Sequence, residues 1–196
     1  MELVEGESLL NFVRSHSDRK LEEKNCKFIF KQIIEGLLYL HEQNITHRDI
    51  KLENIIIKNK TEIKIIDFGF SVIAAKDKLL NFFCGTPNYM PPEIILKKDY
   101  LGEFSDIWSI GILLYTILCG SFPFRGMVIF IYFILIKAFS EKELYNKILK
   151  GTFEIPEYLS GDAKNLLQNI LKLNPKERFD SQSVNNIFIF LIYFRY

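Results

Sequence analysis

His47-Arg48-Asp49-Ile50-Lys51-Leu52-Glu53-Asn54, read with Asp67-Phe68-Gly69 thirteen positions beyond Asn54, decides how the rest of this chain is understood. The two stretches supply an acid able to accept a proton, a cation two residues on, an amide three further, and a second acid past a short hairpin. Phosphoryl transfer asks a protein to orient a hydroxyl, hold magnesium and neutralise phosphate charge, with little covalent work of its own. These residue types meet the three demands. Each piece alone has a plainer reading, since Asp-Phe-Gly is often a turn and His-Arg-Asp a charged loop; their joint order and spacing carry the stronger one.

Working outward, Ile55-Ile56-Ile57 and Ile63-Lys64-Ile65-Ile66 are β-branched runs that predict two strands joined by a polar turn over Lys58 to Glu62. That hairpin fixes the distance between Asn54 and Asp67. On the other side, from about 21 to 43, Cys26, Phe30, Ile33, Leu37 and Leu40 recur every three or four positions, with Ile29, Ile34 and Leu38 widening the stripe. The period predicts a long amphipathic helix that delivers the chain to the loop. His41, near its end, is read as a capping or packing residue rather than a metal ligand. Phe104 to Cys119 is almost wholly apolar, and a helix hydrophobic all round must be buried. Residues 161 to 173 predict a final amphipathic helix, with Ala163, Leu166, Leu167, Ile170 and Leu171 on one side.

The loop and the turn resemble the catalytic loop and metal-binding turn of the protein kinases. The resemblance implies Asp49 as catalytic base, Arg48 beside it, Lys51 as the γ-phosphate contact, and Asn54 and Asp67 as ligands of Mg2+, with ATP as cosubstrate. Lys51 points to the serine/threonine branch, and Thr86, in Cys84-Gly85-Thr86-Pro87, resembles the threonine that bonds the catalytic acid and lysine. His47 and Phe68 take structural places within the two motifs. Residues 1 to 6 resemble the hinge between kinase lobes, with Met1 at the gatekeeper; the backbone of Glu2 and Val4 would then bond the adenine edge, and Ile56 would lie under the ring. Residues 67 to 93 resemble an activation segment, with Pro91 where alanine is usual, and Glu93 would pair with Arg178. A buried pair of that kind costs about 3–5 kcal/mol to break from one side. Asp106 would tie down the backbone of the catalytic loop, or simply cap its helix, with Trp108 packed below. Related kinases often place a phosphorylatable threonine two residues before that cysteine; Phe82 stands there, so switching by phosphorylation at that position should be lost. Glu53 would favour basic residues near the substrate hydroxyl, its plainer role being solvated surface. Phe83-Cys84-Gly85-Thr86-Pro87, Phe122-Pro123-Phe124 and the segment from Leu144 to Leu149 are most similar to the calcium/calmodulin-dependent group, within it the AMP-activated and microtubule-affinity-regulating kinases.

Two departures bound the resemblance. The glycines stand at 6, 36, 69, 85, 102, 111, 120, 126, 151 and 161, and no two are separated by a single residue, so a GxGxxG loop is absent. The expected fold is therefore mainly α with a small β-hairpin: a kinase C-terminal lobe over residues 1–184, the N-terminal lobe missing. Second, an apolar stretch at 127–139 intrudes where a helix over 140–148 should follow within a few residues, and similar Ile/Phe/Tyr-rich texture returns at 185–196. The ten consecutive apolar residues from Met127 to Ile136 would make about 15 Å of helix, half a bilayer span, so no transmembrane segment is expected. Both stretches could be partner-binding patches. They could also be translated introns, being rich in residues that AT-rich DNA encodes and following codons for Gly126 and Val184 that can contain a splice donor.

Composition narrows the partners. With 196 residues and 48% hydrophobic content, one globular domain is expected. Lys plus Arg number 25 against 24 Asp plus Glu, which gives no electrostatic case for nucleic acid. Cys26, Cys84 and Cys119 are far apart and odd in number, so reduced thiols in a cytoplasmic or nuclear protein are expected, and the acidic start is no secretory signal. Two functions remain: an ATP-dependent kinase of protein serine and threonine hydroxyls, its gene model incomplete and the isolated fragment inactive, or a binding or scaffolding fragment without activity.

Overall fold

The computed structural model describes residues 3–58, 62–126 and 135–193, with 135–140 and 188–193 as backbone. Expectations for Met1 and Glu2, for most of the 127–139 stretch and for the last three residues lie outside those described. In chain order the elements are β1 (Glu7–Ser8), α1 (Leu9–Arg14), α2 (Glu23–Glu42), β2 (Ile45–Thr46), β3 (Ile55–Lys58), β4 (Glu62–Ile65), β5 (Val72–Ile73) and β6 (Leu79–Leu80). There follow α3 (Pro92–Ile95), β7 (Tyr100–Leu101), α4 (Gly102–Cys119), α5 (Leu135–Lys150), α6 (Gly161–Ile170) and α7 (Ser181–Tyr193).

The amphipathic stripe read at 26 to 37 is the inner face of α2: Cys26, Ile29, Phe30, Ile33, Ile34 and Leu37 are buried against the body of the molecule. Leu38 and Leu40, at the end of the stripe, are only half-buried. At the centre lies α4, buried from Ser105 to Leu118. It is the one helix among the described residues long and apolar enough to cross a membrane, and it is instead enclosed by the other elements. Such a helix can be apolar all round because it is buried along its length, with α2 and α6 among the elements that pack on it. Close approach of α6 is made possible by Gly111, where a Cβ would collide with the Ile170 and Leu171 side chains. Ser8 caps α1 by accepting from Asn11 N–H, and Ser160 caps α6 by accepting from Ala163 N–H.

The hairpin of β3 and β4 pairs Ile55 with Ile65 through Lys58 with Glu62, the whole run antiparallel. Sequence reading is corrected in its surroundings. The hairpin is not alone, because β1 adds a third strand through Glu7↔Ile57 and Ser8↔Ile56. Two further pairs form, β2 with β5 and β6 with β7. These strands are two residues long, too short to show an alternation. The helix expected over 140–148 begins at Leu135, and the helix expected over 161–173 ends at Ile170 and is not the last. Instead α7 runs through 184 and 185 without a break and packs along α2, with Val184 fully buried and Ile187 against the core.

Candidate active site

Between β2 and β3 the chain makes a short 3-10 turn at Leu52–Asn54, closed by Asn54 N–H donating to the Lys51 carbonyl at 3.0 Å. That turn swings Asn54 back to Asp49: its Nδ2 donates to the Asp49 carbonyl at 2.9 Å and to Asp49 Oδ2 at 3.3 Å. Lys51 Nζ donates to the same Oδ2 at 2.6 Å and to Thr86 Oγ1 at 3.1 Å. Thr86 in turn donates its hydroxyl to Asp49 Oδ1 at 2.8 Å. A carboxylate only 4% exposed is thus held from both oxygens by an ammonium, an amide and a hydroxyl. Charge-assisted bonds of this kind fix orientation more firmly than neutral ones.

The hairpin brings the second acid alongside. Ile66 N–H donates to the Asn54 carbonyl at 2.9 Å, so Asp67 is the next residue after one bonded to Asn54. Asp67 is exposed and left-handed at φ 63°, with Oδ1 accepting from Gly69 N–H at 3.3 Å. With its amide nitrogen committed to Asp49, Asn54 offers its oxygen to a cation, and Asp67 offers a carboxylate. Both are the hard oxygen donors that Mg2+ prefers. No group of three or more His, Cys, Asp or Glu suited to a metal exists among the described residues. An ion bound by Asn54 and Asp67 would complete its shell with water and phosphate oxygens, the habit of Mg2+.

Behind the loop, His47 is fully buried. Its Nδ1 accepts from Asp49 N–H at 3.3 Å, which leaves the proton on Nε2, 3.1 Å from the Ile66 carbonyl that accepts it. The same ring meets Phe68 edge-on at 5.0 Å. Asp106, in the first turns of α4 and fully buried, accepts from His47 N–H at 2.9 Å and from Arg48 N–H at 2.8 Å. The cap reading of Asp106 is not what the geometry gives, since no side-chain bond caps α4. His41 adds a third bond to the Asp106 carboxylate at 3.0 Å from Nε2. Sequence reasoning gave His41 a capping or packing role; the signal available was its place one short loop before His47 at the end of an amphipathic helix. Tyr89 was also missed: its hydroxyl accepts from Leu52 N–H at 3.3 Å, while its carbonyl takes the Ser109 hydroxyl at 3.1 Å.

Further from the loop, Glu93 and Arg178 meet as a two-pronged buried pair at 2.9 and 3.2 Å. Arg178 also donates to the carbonyls of Phe104 and Lys172 and lies over the Trp108 ring. The ring of Trp108 stacks on Phe124. Along β3, Ile55 and Ile57 point into the core and Ile56 to the other face. Gly6 runs directly over it, at φ 156°, where a Cβ would lie 2.8 Å from Ile56 Cγ2. Half-buried Val4 precedes this contact by two residues, and Glu2 lies outside the described residues.

Comparison with known proteins agrees on the family. The family model described as "Protein kinase domain" matches residues 1–188. CBL-interacting protein kinase 17 of Oryza sativa is 40% identical over 191 residues, 95% of this chain and 38% of that protein. Protein kinase kin1 of Schizosaccharomyces pombe is 38% identical over 94% of this chain and 19% of its own length. A probable serine/threonine-protein kinase of Dictyostelium discoideum is 38% identical over 94% of this chain and 20% of its length. The chain therefore spans well under half of the curated relatives it matches.

Proposed function

This chain belongs to the protein kinase domain family, and from that premise we propose that it serves the transfer of the γ-phosphoryl group of ATP to serine or threonine hydroxyls of proteins. The observation that carries the reading is the four-residue cluster of Asp49, Lys51, Asn54 and Thr86, in which Lys51, Asn54 and Thr86 each donate a bond to the one Asp49 carboxylate. Asp49 takes the proton of the acceptor hydroxyl as its oxygen bonds to phosphorus, and the bond from phosphorus to the β,γ-bridging oxygen breaks, leaving ADP. Lys51 offers its ammonium to the phosphoryl oxygens, and Thr86 keeps Asp49 aimed while Lys51 is engaged. Mg2+, held through Asn54 and Asp67, would neutralise charge on the nucleotide phosphates. The family works chiefly by positioning and electrostatics, so the quality of this cluster matters more than any single reactive group.

Within these 196 residues there is no GxGxxG sequence to cover the phosphates. Nucleotide binding by this chain is therefore expected to be weak and magnesium-dependent, and phosphoryl transfer close to background. Calorimetric titration with ATP in the presence and absence of Mg2+ tests this; Asp67→Asn should abolish the magnesium-dependent component, and its persistence in that variant removes Asp67 from the site. The second reading, a binding or scaffolding piece without activity, is favoured by that same lack of a glycine-rich sequence. Genomic sequence upstream of Met1 that encodes a glycine-rich loop and a lysine-bearing strand supports the enzyme, and its absence supports the scaffold. The 127–139 stretch is taken as a translated intron, because its removal restores family spacing between Gly126 and Ser140. Transcripts that carry codons 127–139 in full would end that reading.

A further inference from the structure

Arg48 is the loop residue whose side chain the cluster on Asp49 does not use. Its backbone is left-handed at φ 66°, a conformation that persists in a residue with a Cβ only where the surroundings over-determine it. Asp106 holds its N–H from below, and its Nε donates to the Phe70 carbonyl at 2.6 Å. No ion pair with a carboxylate forms at Arg48 among the described residues. The face of the guanidinium is covered instead by an aromatic ring: Arg48 Cζ lies 5.4 Å from the centroid of Phe82. Phe82 is 59% exposed and belongs to neither buried apolar cluster, and its ring lies against the Arg48 cation.

The backbone beneath that ring is anchored to β7, the strand that leads into the helix holding the loop. Tyr100 donates its hydroxyl to the Phe82 carbonyl at 2.9 Å, and β6, just before Phe82, pairs with β7 through Leu80↔Tyr100. Phe83 packs on Tyr100 at 6.3 Å. Since β7 leads directly into α4, which carries Asp106, one continuous stretch of chain holds Arg48 twice, by its backbone through Asp106 and by its side chain through Phe82 on Tyr100. Resting on the proposed function above for its catalytic consequence, we propose that Phe82 is a positioning residue, whose ring clamps the Arg48 guanidinium by a cation–π contact. The segment from Leu79 to Thr86 then docks on the loop that holds Asp49 without an acidic or phosphorylated group at its centre. A ring attracts a cation through its quadrupole and asks for no charged partner.

The test is amide hydrogen exchange over residues 79–84 in the 196-residue chain without nucleotide, for wild type, Phe82→Ala, Phe82→Leu and Phe82→Tyr. An exposed cation–π contact corresponds to about a two- to fivefold change in an opening equilibrium. Exchange should quicken by about that factor in the alanine and leucine variants, stay as wild type in the tyrosine variant, and show no difference among them once Arg48 is changed to Met. The wild-type Arg48 Nε–H proton should also carry an upfield ring-current shift that Phe82→Leu removes. Wild-type exchange in Phe82→Leu would overturn the proposal, because it would show that apolar bulk suffices; so would an alanine effect that survives Arg48→Met. Neither readout needs ATP, so a chain that binds no nucleotide counts against the proposed reaction and leaves the clamp standing.

Discussion

Three donors converge on the Asp106 carboxylate: the His47 and Arg48 backbone N–H groups and His41 Nε2. The arrangement explains how Arg48 can sit at φ 66° in a loop with no regular structure, because a buried anion aimed at two successive N–H groups makes the alternative backbone costly. Asp106→Asn keeps an acceptor for one N–H, yet turns an NH2 group towards another donor. Hydrogen bonds to charged groups are worth about 1.5–3 kcal/mol each, so the variant should lose about 3 kcal/mol of stability. Equilibrium urea unfolding with an unchanged denaturant slope is the measurement. A loss below about 1 kcal/mol would mean that the loop keeps its shape without this anion. The sequence singles out Asp106 through the family resemblance, whereas His41 carries no motif of its own. Its role emerges only where the end of α2 meets the start of α4, a contact across 65 positions.

Elements with a clear period are the ones that sequence reading places well. The stripe on α2 shifts by only a few residues, from about 21–43 to Glu23–Glu42, and the apolar run of α4 gains two residues at its start. Where the pattern is uniform or very short, reading fails for a physical reason. The Ile/Phe-rich texture after 184 has no polar face to set a period, so nothing in the sequence marks α7, and two-residue strands such as β6 and β7 show no alternation at all. Packing between elements is equally hidden: Gly111 reads as a helix-weakening residue, since glycine costs about 1 kcal/mol relative to alanine inside a helix. In the structure its missing side chain is the space that Ile170 and Leu171 fill. Gly111→Ala should therefore destabilise despite the better helix propensity, by about 1–3 kcal/mol for overpacking less that gain. Thermal unfolding that shows the alanine variant more stable than wild type would place α6 further from α4 than the geometry has it.

Across the whole molecule, the residues that motifs name are local to two short stretches, while the groups that hold them come from everywhere: Asp106 and Ser109 from α4, Thr86 and Tyr89 from the segment before α3, Ile66 from the strand edge. Two buried apolar clusters lie beneath them, a large one around α4 and a smaller one of Leu80, Ile94 and Tyr100, and the buried titratable groups set how the fold responds to alkali. Burial pushes the Tyr115 hydroxyl up to about 12, with nearby Cys119 adding to the effect, and burial likewise raises Tyr89, Tyr100 and the thiols of Cys26, Cys84 and Cys119. Between the unfolded and folded values the unfolded chain has given up the proton and the folded chain has kept it, so stability is whole below that window and falls as pH rises through it. The decline should begin near pH 9 with the thiols and steepen above pH 10 as the tyrosines join. Each such group adds about 1.4 kcal/mol per pH unit inside its window. Tyr115→Phe loses the bond from its hydroxyl to the Glu154 carbonyl and so starts less stable at pH 8, but its stability should fall less steeply between pH 10 and pH 12. Urea midpoints measured across that range for both proteins decide it: parallel curves would mean that the Tyr115 hydroxyl titrates in the folded state as it does in water.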